Sequence, residues 1–122
     1  MEKNIAIEAL SALAHGGRLA LFRALVRAGP EGLAAGKLGE VVGISGSTLS
    51  SNLAILTRAG LTSAVRDGRS IIYAADFAHM TDLLAFLLED CCEGAPDVCA
   101  PLGDVISKMV CCTPRRDPAM LA

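Results

Sequence analysis

Between residues 34 and 43 the apolar positions follow a helical period. Leu38, Val41 and Val42 stand at i, i+3 and i+4, the spacing of a stripe that a helix buries on one face. Gly43 comes next, and glycine readily takes the left-handed conformation that ends many helices. The pattern therefore predicts a short helix that has one buried face and ends at Gly43.

A second helical pattern begins after a tight turn. Leu49, Leu53 and Leu56 recur at i, i+4 and i+7 and are predicted to face inward. Ser45 or Ser47 is suited to cap this helix, because a serine hydroxyl can accept from its first backbone N–H groups. The other side of the helix is polar, and its predicted outward residues are Ser47, Thr48, Ser50, Ser51 and Asn52.

Two short helices joined by a few residues, the second carrying small hydrogen-bonding side chains, are the parts of a helix-turn-helix. Small polar side chains let a helix lie close to base edges, and they can bond to bases or phosphates. Helix-turn-helix geometry also serves as plain packing in other proteins. Because a hairpin follows, the pattern favours a DNA reader over residues 34–75, with contacts from the outward residues and from Ser45.

The segments 61–66 and 69–75 change from a helical to a strand-like composition. They are rich in β-branched and aromatic residues and flank Asp67-Gly68, a dipeptide that strongly indicates a two-residue hairpin turn. Arg66 and Arg69 stand on either side of this predicted tip. Their guanidinium groups can meet phosphates or enter a minor groove, so the hairpin is interpreted as a DNA-binding wing.

The predicted fold class is mainly α with a small β-hairpin, a winged helix-turn-helix that forms a homodimer. An Ala-rich helix over 3–14 and a helix over 76–92 with a broad apolar stripe are the predicted dimer helices, because such a face suggests a partner helix. His15 is expected in a turn or cap, and residues 31–33 are expected to be a connector. The predicted domain spans 1–112, with a last helix over 101–112 and a flexible tail over 113–122.

The distribution of charge supports this interpretation better than the total does. The formal net charge is −2. Residues 37–73 carry four basic and two acidic side chains, a net +2, whereas residues 74–122 carry three basic and eight acidic ones, a net −5. Because the excess over the reader is small, two copies are expected to be needed for firm contact with double-stranded operator DNA.

No signal peptide and no run long enough to span a bilayer stand out, so a cytoplasmic protein without a membrane partner is expected. Its five cysteines then argue for metal binding or redox sensing, because cytosolic thiols are kept reduced. The sequence shows no nucleophile–base pair and no phosphate loop, so an enzyme is not expected. Nothing in it indicates an organic cofactor.

Several segments together resemble the ArsR/SmtB family of winged-helix repressors: residues 13–15, 18–22, 45–61, Gly68-Arg69 and Cys91-Cys92. The likeness covers about residues 5–99. It implies a homodimer that sits on an operator ahead of a resistance operon and leaves when a toxic metal or metalloid binds. Two departures from many relatives are Asn52 in place of His and the absence of a Cys-Val-Cys motif before the recognition helix.

Cys91, Cys92 and Cys99 are similar to the C-terminal arsenite site of one branch of this family. Adjacent Cα atoms lie only about 3.8 Å apart, which suits Cys91 and Cys92 poorly to a mutual disulfide and keeps both thiols available. Three soft sulfurs with no nearby carboxylate–histidine set fit trivalent arsenic or antimony, whereas structural zinc usually takes four ligands. Arsenite or antimonite is therefore the expected inducer, with Cys111 and Cys112 as less favoured ligands.

Ligand binding is expected to act through the end of the dimer helix. On an ideal helix Cys91 and Cys92 point about 100° apart, so both can hold one ion only if the helix end unwinds near Gly94 and Pro96. Alternatives to this metalloid-responsive repressor are a thiol-redox sensor, a repressor that responds to cadmium or lead, and a zinc-stabilised winged-helix interaction module.

Overall fold

A computed structural model describes residues 1–88 of the chain, and residues Met1–Leu87 form one compact unit. Its elements in chain order are α1 Lys3–Leu13, α2 Gly16–Ala28, β1 Leu33–Ala34, α3 Ala35–Val42, α4 Gly46–Arg58, β2 Thr62–Asp67, β3 Ser70–Ala75 and α5 Phe77–Leu87. The mainly α winged helix-turn-helix is confirmed. The predicted helix over 101–112, the tail and the last residues of the helix over 76–92 lie outside the described residues.

The wing is a three-stranded antiparallel sheet in the order β1-β3-β2. The hairpin of β2 and β3 was predicted, but residues 31–33 are not merely a connector, because Leu33 pairs with Tyr73 and Ala34 with Ile72. Two residues are too few for a period-two pattern, so strand β1 left no signal in the sequence. Strand β1 leads directly into α3 and thereby ties the wing to the start of the helix-turn-helix.

The hairpin turn lies one residue further along than predicted. Asp67 pairs with Ser70 in the ladder, so the two turn residues are Gly68 and Arg69. Gly68 has a φ of 63°, the left-handed conformation that a two-residue hairpin loop favours and that glycine takes without steric cost. The shift moves Arg69 from the flank of the wing to its tip.

The core of the described residues consists of leucines and alanines with one phenylalanine. The largest fully buried side chains are Leu21, Leu25, Leu38, Leu53, Leu56, Leu61 and Leu83. The buried side chains of helix α1 are all small, Ala6, Ala9 and Ala12, and Leu13 at its end packs partly against the core. Leu49, Leu53 and Leu56 are buried as predicted, so α4 is held in the domain by the face expected from its spacing.

Two predicted apolar faces need correction. Val41 is 55% exposed, whereas Leu38 on the same helix is buried and Val42 packs partly against the core. The Ala-rich helix over 3–14 was predicted to meet a second copy, but its Ala9 and Ala12 pack inside their own domain and are not available to that contact. On α5, within the described residues, Leu83 is buried and Met80 and Phe86 pack partly against the core, whereas Phe77 and Leu87 stay exposed, so the apolar stripe is broader than this domain's own core uses, as predicted.

Side-chain caps fix two of the helix starts. His15 precedes α2, and its Nδ1 accepts from the N–H groups of Gly17 at 3.1 Å and Arg18 at 3.4 Å, which confirms the predicted cap. Asp76 precedes α5, and its carboxylate accepts from the N–H of His79 at 3.0 Å. Within residues 1–88, no single helix is long and apolar enough to cross a membrane.

Candidate nucleic-acid interface

Helix α4 is seated against the preceding helix with little space between them. At Gly39 of α3, a Cβ would lie 2.6 Å from the carbonyl oxygen of Ile44 and 2.9 Å from a methyl group of Leu49. Only a residue without a side chain allows the turn and α4 to come this close. Gly43 completes the turn in the left-handed conformation, with a φ of 81°. The geometry of α3, turn and α4 is therefore that of a tight helix-turn-helix.

The outer face of α4 consists of exposed hydroxyl groups. Ser47, Thr48, Ser50 and Ser51 are all exposed, while Leu49 between them points inward. We call these four residues the hydroxyl face. Hydroxyl groups donate and accept hydrogen bonds, so this surface can bond to base edges and to phosphate oxygens. Its small side chains leave room for the helix to enter a major groove.

Ser45 occupies the N-cap position of α4, but its side chain makes no capping hydrogen bond. The predicted position of the cap is therefore right and its predicted hydrogen bond is wrong, and Ser47 lies inside the helix. Ser45 is exposed beside the first N–H groups of the helix, which have no partner within it. Such a helix start favours negative charge, including that of a phosphate.

Asn52 was predicted on the outward face, and this prediction is wrong. The residue is only 5% exposed, and its Oδ1 accepts from Nη1 of Arg18 at 3.3 Å. Asn52 lies one residue before Leu53 and three after Leu49, so it shares the inward side of α4 with them. Its amide is engaged inside the protein and is not part of the surface that the hydroxyl face presents.

The wing carries the two predicted arginines on its outer end. Arg66 pairs with Ile71 in the ladder, Arg69 is in the turn, and both side chains are exposed. The base of the wing is tied to α4 by a hydrogen bond of 2.9 Å between the hydroxyl oxygens of Thr57 and Thr62. The hydroxyl face and the arginines are thus held on one framework, although neither threonine stood out in the sequence.

Comparisons with known proteins agree with this geometry. Residues 13–63 match the model of a family described as a helix-turn-helix domain. NolR from Sinorhizobium fredii is 36% identical, the match covering 70% of this chain and 83% of that one, with a TM-score of 0.56. The transcriptional repressor BigR from Xylella fastidiosa is 29% identical over 73% of this chain and 88% of its own, with a TM-score of 0.57.

A third structure is the homodimeric winged helix-turn-helix DNA-binding domain of Mb0332 from Mycobacterium bovis, a possible ArsR-family regulator. It is 26% identical, and the match covers 75% of this chain and 84% of that one with a TM-score of 0.56. This chain belongs to the ArsR family of winged helix-turn-helix transcriptional regulators. No curated protein matches it significantly.

Winged helix-turn-helix regulators of the ArsR family bind DNA and are generally not enzymes. In such a reader the second helix of the helix-turn-helix lies in the major groove and contacts bases through its N-terminal residues. In this ArsR-family chain that helix is α4, and its N-terminal residues form the hydroxyl face. The surface found by geometry is therefore the one on which this kind of fold places DNA.

The residues predicted to bind a metalloid, Cys91, Cys92 and Cys99, lie outside the described residues, as do Cys111 and Cys112. Within residues 1–88 no group of three or more His, Cys, Asp or Glu side chains is placed to hold a metal ion. The assignment of the inducer site in this ArsR-family regulator therefore remains a prediction from sequence.

Proposed function

We propose that this ArsR-family regulator is a repressor that binds operator DNA as a homodimer and leaves it when trivalent arsenic or antimony binds cysteine thiolates. The observation that carries the DNA-binding half is the exposed hydroxyl face of α4 beside a wing with two exposed arginines. The sequence Cys91-Cys92 with Cys99 carries the inducer half.

The charge of the reader supports a dimer on DNA rather than a single copy. Residues 37–73 have a net charge of +2 from four basic and two acidic side chains. Each DNA phosphate that a basic side chain neutralises adds affinity, and salt weakens this contribution. A reader with so small an excess of positive charge therefore binds DNA weakly as a single copy. Two linked copies double the number of phosphate contacts. Paired copies also match the two half-sites that dimeric helix-turn-helix proteins read.

Exposed aliphatic side chains on α1 supply a surface for the second copy. Ile5, Ile7 and Leu10 are 40%, 49% and 41% exposed, although all three are large and apolar. Ile7 and Leu10 stand three residues apart and so share one side of the helix, and an exposed apolar surface of this kind marks a protein–protein contact. The homodimeric structure of the Mb0332 domain supports the same assembly for this chain. Phe77 and Leu87 of α5, 37% and 49% exposed, are available to extend the interface.

The inducer is proposed from the chemistry of sulfur. Cys91, Cys92 and Cys99 offer three soft thiolates, which prefer thiophilic centres over calcium, magnesium or manganese. Trivalent arsenic and antimony take three sulfur ligands and keep a lone pair in the fourth direction. A reducing cytoplasm keeps these thiols free to bind.

The test uses double-stranded DNA that the wild-type protein selects from a random-sequence pool. Binding is followed by fluorescence anisotropy without oxygen, while arsenite, antimonite, cadmium or peroxide is added. Arsenite or antimonite is expected to lower the affinity of the wild type by about 5- to 150-fold, the usual size of an allosteric coupling. Cys91→Ser and Cys92→Ser should bind DNA normally and fail to release it.

The control variant is the double substitution of Cys111 and Cys112 by serine, which should still release DNA. An unchanged complex at saturating arsenite and antimonite would overturn the inducer assignment. Release by peroxide alone would instead establish the redox sensor, and release by cadmium alone the divalent-ion sensor. Failure to select any DNA, together with unfolding on addition of a chelator, would establish the zinc-stabilised interaction module.

A further inference from the structure

One hydrogen-bonded cluster is used neither by the hydroxyl face nor by the wing. Nε of Arg18 donates to the carbonyl oxygen of Ala12 at 2.6 Å, and Nη1 of the same side chain donates to Oδ1 of Asn52 at 3.3 Å. Ala12 lies near the end of α1, Arg18 in the first turn of α2 and Asn52 in the middle of α4. One guanidinium group thus connects three helices.

The surroundings of this cluster hold its members in place. His15 caps α2 by accepting from the N–H of Arg18, so the start of the helix that carries the guanidinium is fixed. Gly17 brings the backbone of α2 so close to α4 that a Cβ there would lie 3.4 Å from Nδ2 of Asn52. Asn52 is 5% and Ala12 is 3% exposed, so both acceptors lie away from solvent.

We infer that Arg18 and Asn52 are positioning residues that fix the rotation of α4 about its own axis, and through it the direction of the hydroxyl face. The inference rests on the proposed binding of DNA by that face. Neither Arg18 nor Asn52 contacts a base. They act on recognition only through the orientation of the helix.

The physical reason is the difference between apolar packing and hydrogen bonding. Leu49, Leu53 and Leu56 bury α4, but apolar burial has no direction and holds the helix without fixing a single rotation. A hydrogen bond weakens steeply when its angle departs from linearity, so the bond to Asn52 selects one rotation. Guanidinium donors stand in a rigid planar fork, so the bond to Ala12 also orients the bond to Asn52.

Rotation of α4 matters because the hydroxyl face adjoins Asn52 along the helix. Ser51 precedes Asn52 directly, and Thr48 lies four residues before it, about one turn away. A turn of the helix about its axis moves both hydroxyl groups across the bases that they would contact. Sequence discrimination should therefore suffer more than the general attraction to phosphates, which depends on charge and is insensitive to such a rotation.

The experiment measures discrimination, defined as the ratio of affinities for the DNA selected by the wild type and for the same duplex with its sequence scrambled. Asn52→Leu keeps a side chain of similar size and removes the acceptor, and Arg18→Lys keeps the charge and removes the fork. Each is expected to lower discrimination by at least about tenfold, the loss typical of one mismatched base pair. The affinity for the scrambled duplex and its salt dependence should stay within about twofold.

Two further variants separate positioning from other roles. Asn52→Asp keeps an acceptor for Arg18 and should retain discrimination within about threefold of wild type. Combining Asn52→Leu with Arg18→Lys should cost no more than the larger single effect, because both break the same connection. Arg23→Lys, an exposed arginine on the same helix, serves as the control and should change nothing.

The outcomes distinguish a failure of the proposed DNA binding from a failure of the positioning role of Arg18 and Asn52. If the wild type does not discriminate between the selected and the scrambled duplex, the proposed DNA-binding function fails, and the positioning role fails with it. If it does discriminate and Arg18→Lys does so equally well, Arg18 does not position α4. If Asn52→Leu alone loses discrimination, Asn52 acts without Arg18 and the inference is overturned. Urea unfolding shows whether a variant still folds. If Asn52→Leu does not fold, the discrimination measured for the milder Arg18→Lys decides whether the inference holds.

Discussion

Helices α4 and α1 both bury one face in the same core, but their opposite faces have contrary chemistry. Helix α4 buries leucines and presents the hydroxyl face, Ser47, Thr48, Ser50 and Ser51. Helix α1 buries the alanines Ala6, Ala9 and Ala12 and leaves Ile5, Ile7 and Leu10 exposed. In α1 the large apolar side chains are outside and the small ones inside, the reverse of what a helix in an isolated domain favours.

The contrast separates two kinds of partner. An exposed polar helix face costs nothing in water and gains hydrogen bonds when it meets base edges and phosphates. An exposed aliphatic face is unfavourable in water and gains free energy when another apolar surface covers it, at about 25 cal/mol per Å². Helix α4 is thus suited to DNA and helix α1 to protein.

The largest effect is expected from Leu53→Ala, which removes the buried support of α4. Leu53 is fully buried, so the loss of its side chain should lower the free energy of unfolding by about 2–5 kcal/mol. Urea denaturation followed by circular dichroism measures this change. Val41→Ala is the control in the neighbouring helix, and it should cost no more than about 0.5 kcal/mol because Val41 is mostly exposed. Equal costs for both would disprove the assigned packing.

The next largest effect concerns the apolar face of α1. Replacing Ile7 and Leu10 together by glutamate puts two charges into the proposed dimer contact and should weaken dimerisation by about 3 kcal/mol or more. Analytical ultracentrifugation measures the dissociation constant, and thermal unfolding checks that each copy still folds. Val41→Glu introduces a charge at another exposed apolar position and should leave dimerisation unchanged. A dimer as tight as wild type would move the interface away from α1.

Ser51→Glu tests the hydroxyl face with a charge that duplex DNA repels. The affinity for the selected DNA should fall by about 1–3 kcal/mol, the usual value of one specific base contact, while the stability of the fold is unchanged. Ala20→Glu adds the same charge at an exposed position of α2 and serves as the control. If both variants lose affinity equally, the effect is one of total charge and not of the hydroxyl face.

The smallest effect is expected at the wing. Arg69→Ala removes one exposed guanidinium from the hairpin tip, so affinity should fall for all sequences alike and the salt slope should decrease by about 1. Arg27→Ala removes an exposed arginine from the last turn of α2 and should leave the slope unchanged. The salt dependence of anisotropy titrations provides both values. An unchanged slope for Arg69→Ala would exclude a phosphate contact by the wing tip.

The sequence predicted well wherever a residue's role depends on spacing along one helix. The leucines of α4, the stop at Gly43 and the cap at His15 were predicted, because periodicity and capping are local properties. For the same reason the reader could be placed on α3, α4 and the wing. The hydroxyl face follows directly from the residues that the leucine spacing leaves outside.

The errors arise where a neighbouring element decides. Asn52 lies on the inward side of α4 by its spacing from Leu49 and Leu53, but its polar side chain favoured the outward face in the prediction, and its contact with Arg18 of α2 is what pairs its amide there. Val41 fits a helical stripe, but α3 is too short and too close to the surface to bury it. The turn at Gly68-Arg69 depends on the register of β3 against β2, which the Asp67-Gly68 signal does not fix. The contact of Asn52 with Arg18 and the register of the two strands cannot be read from spacing within a single segment.

The central claim is that the hydroxyl face and the wing tip, rather than any other surface, meet DNA. An NMR titration of the ¹⁵N-labelled protein with the selected duplex tests it most directly, because each backbone amide reports on its own surroundings. The largest shifts are expected from Ser45 to Ser51 and at Arg66 and Arg69, with small shifts at Ile5, Ile7 and Leu10 of α1. Largest shifts on α1 with an unchanged α4 would contradict the account.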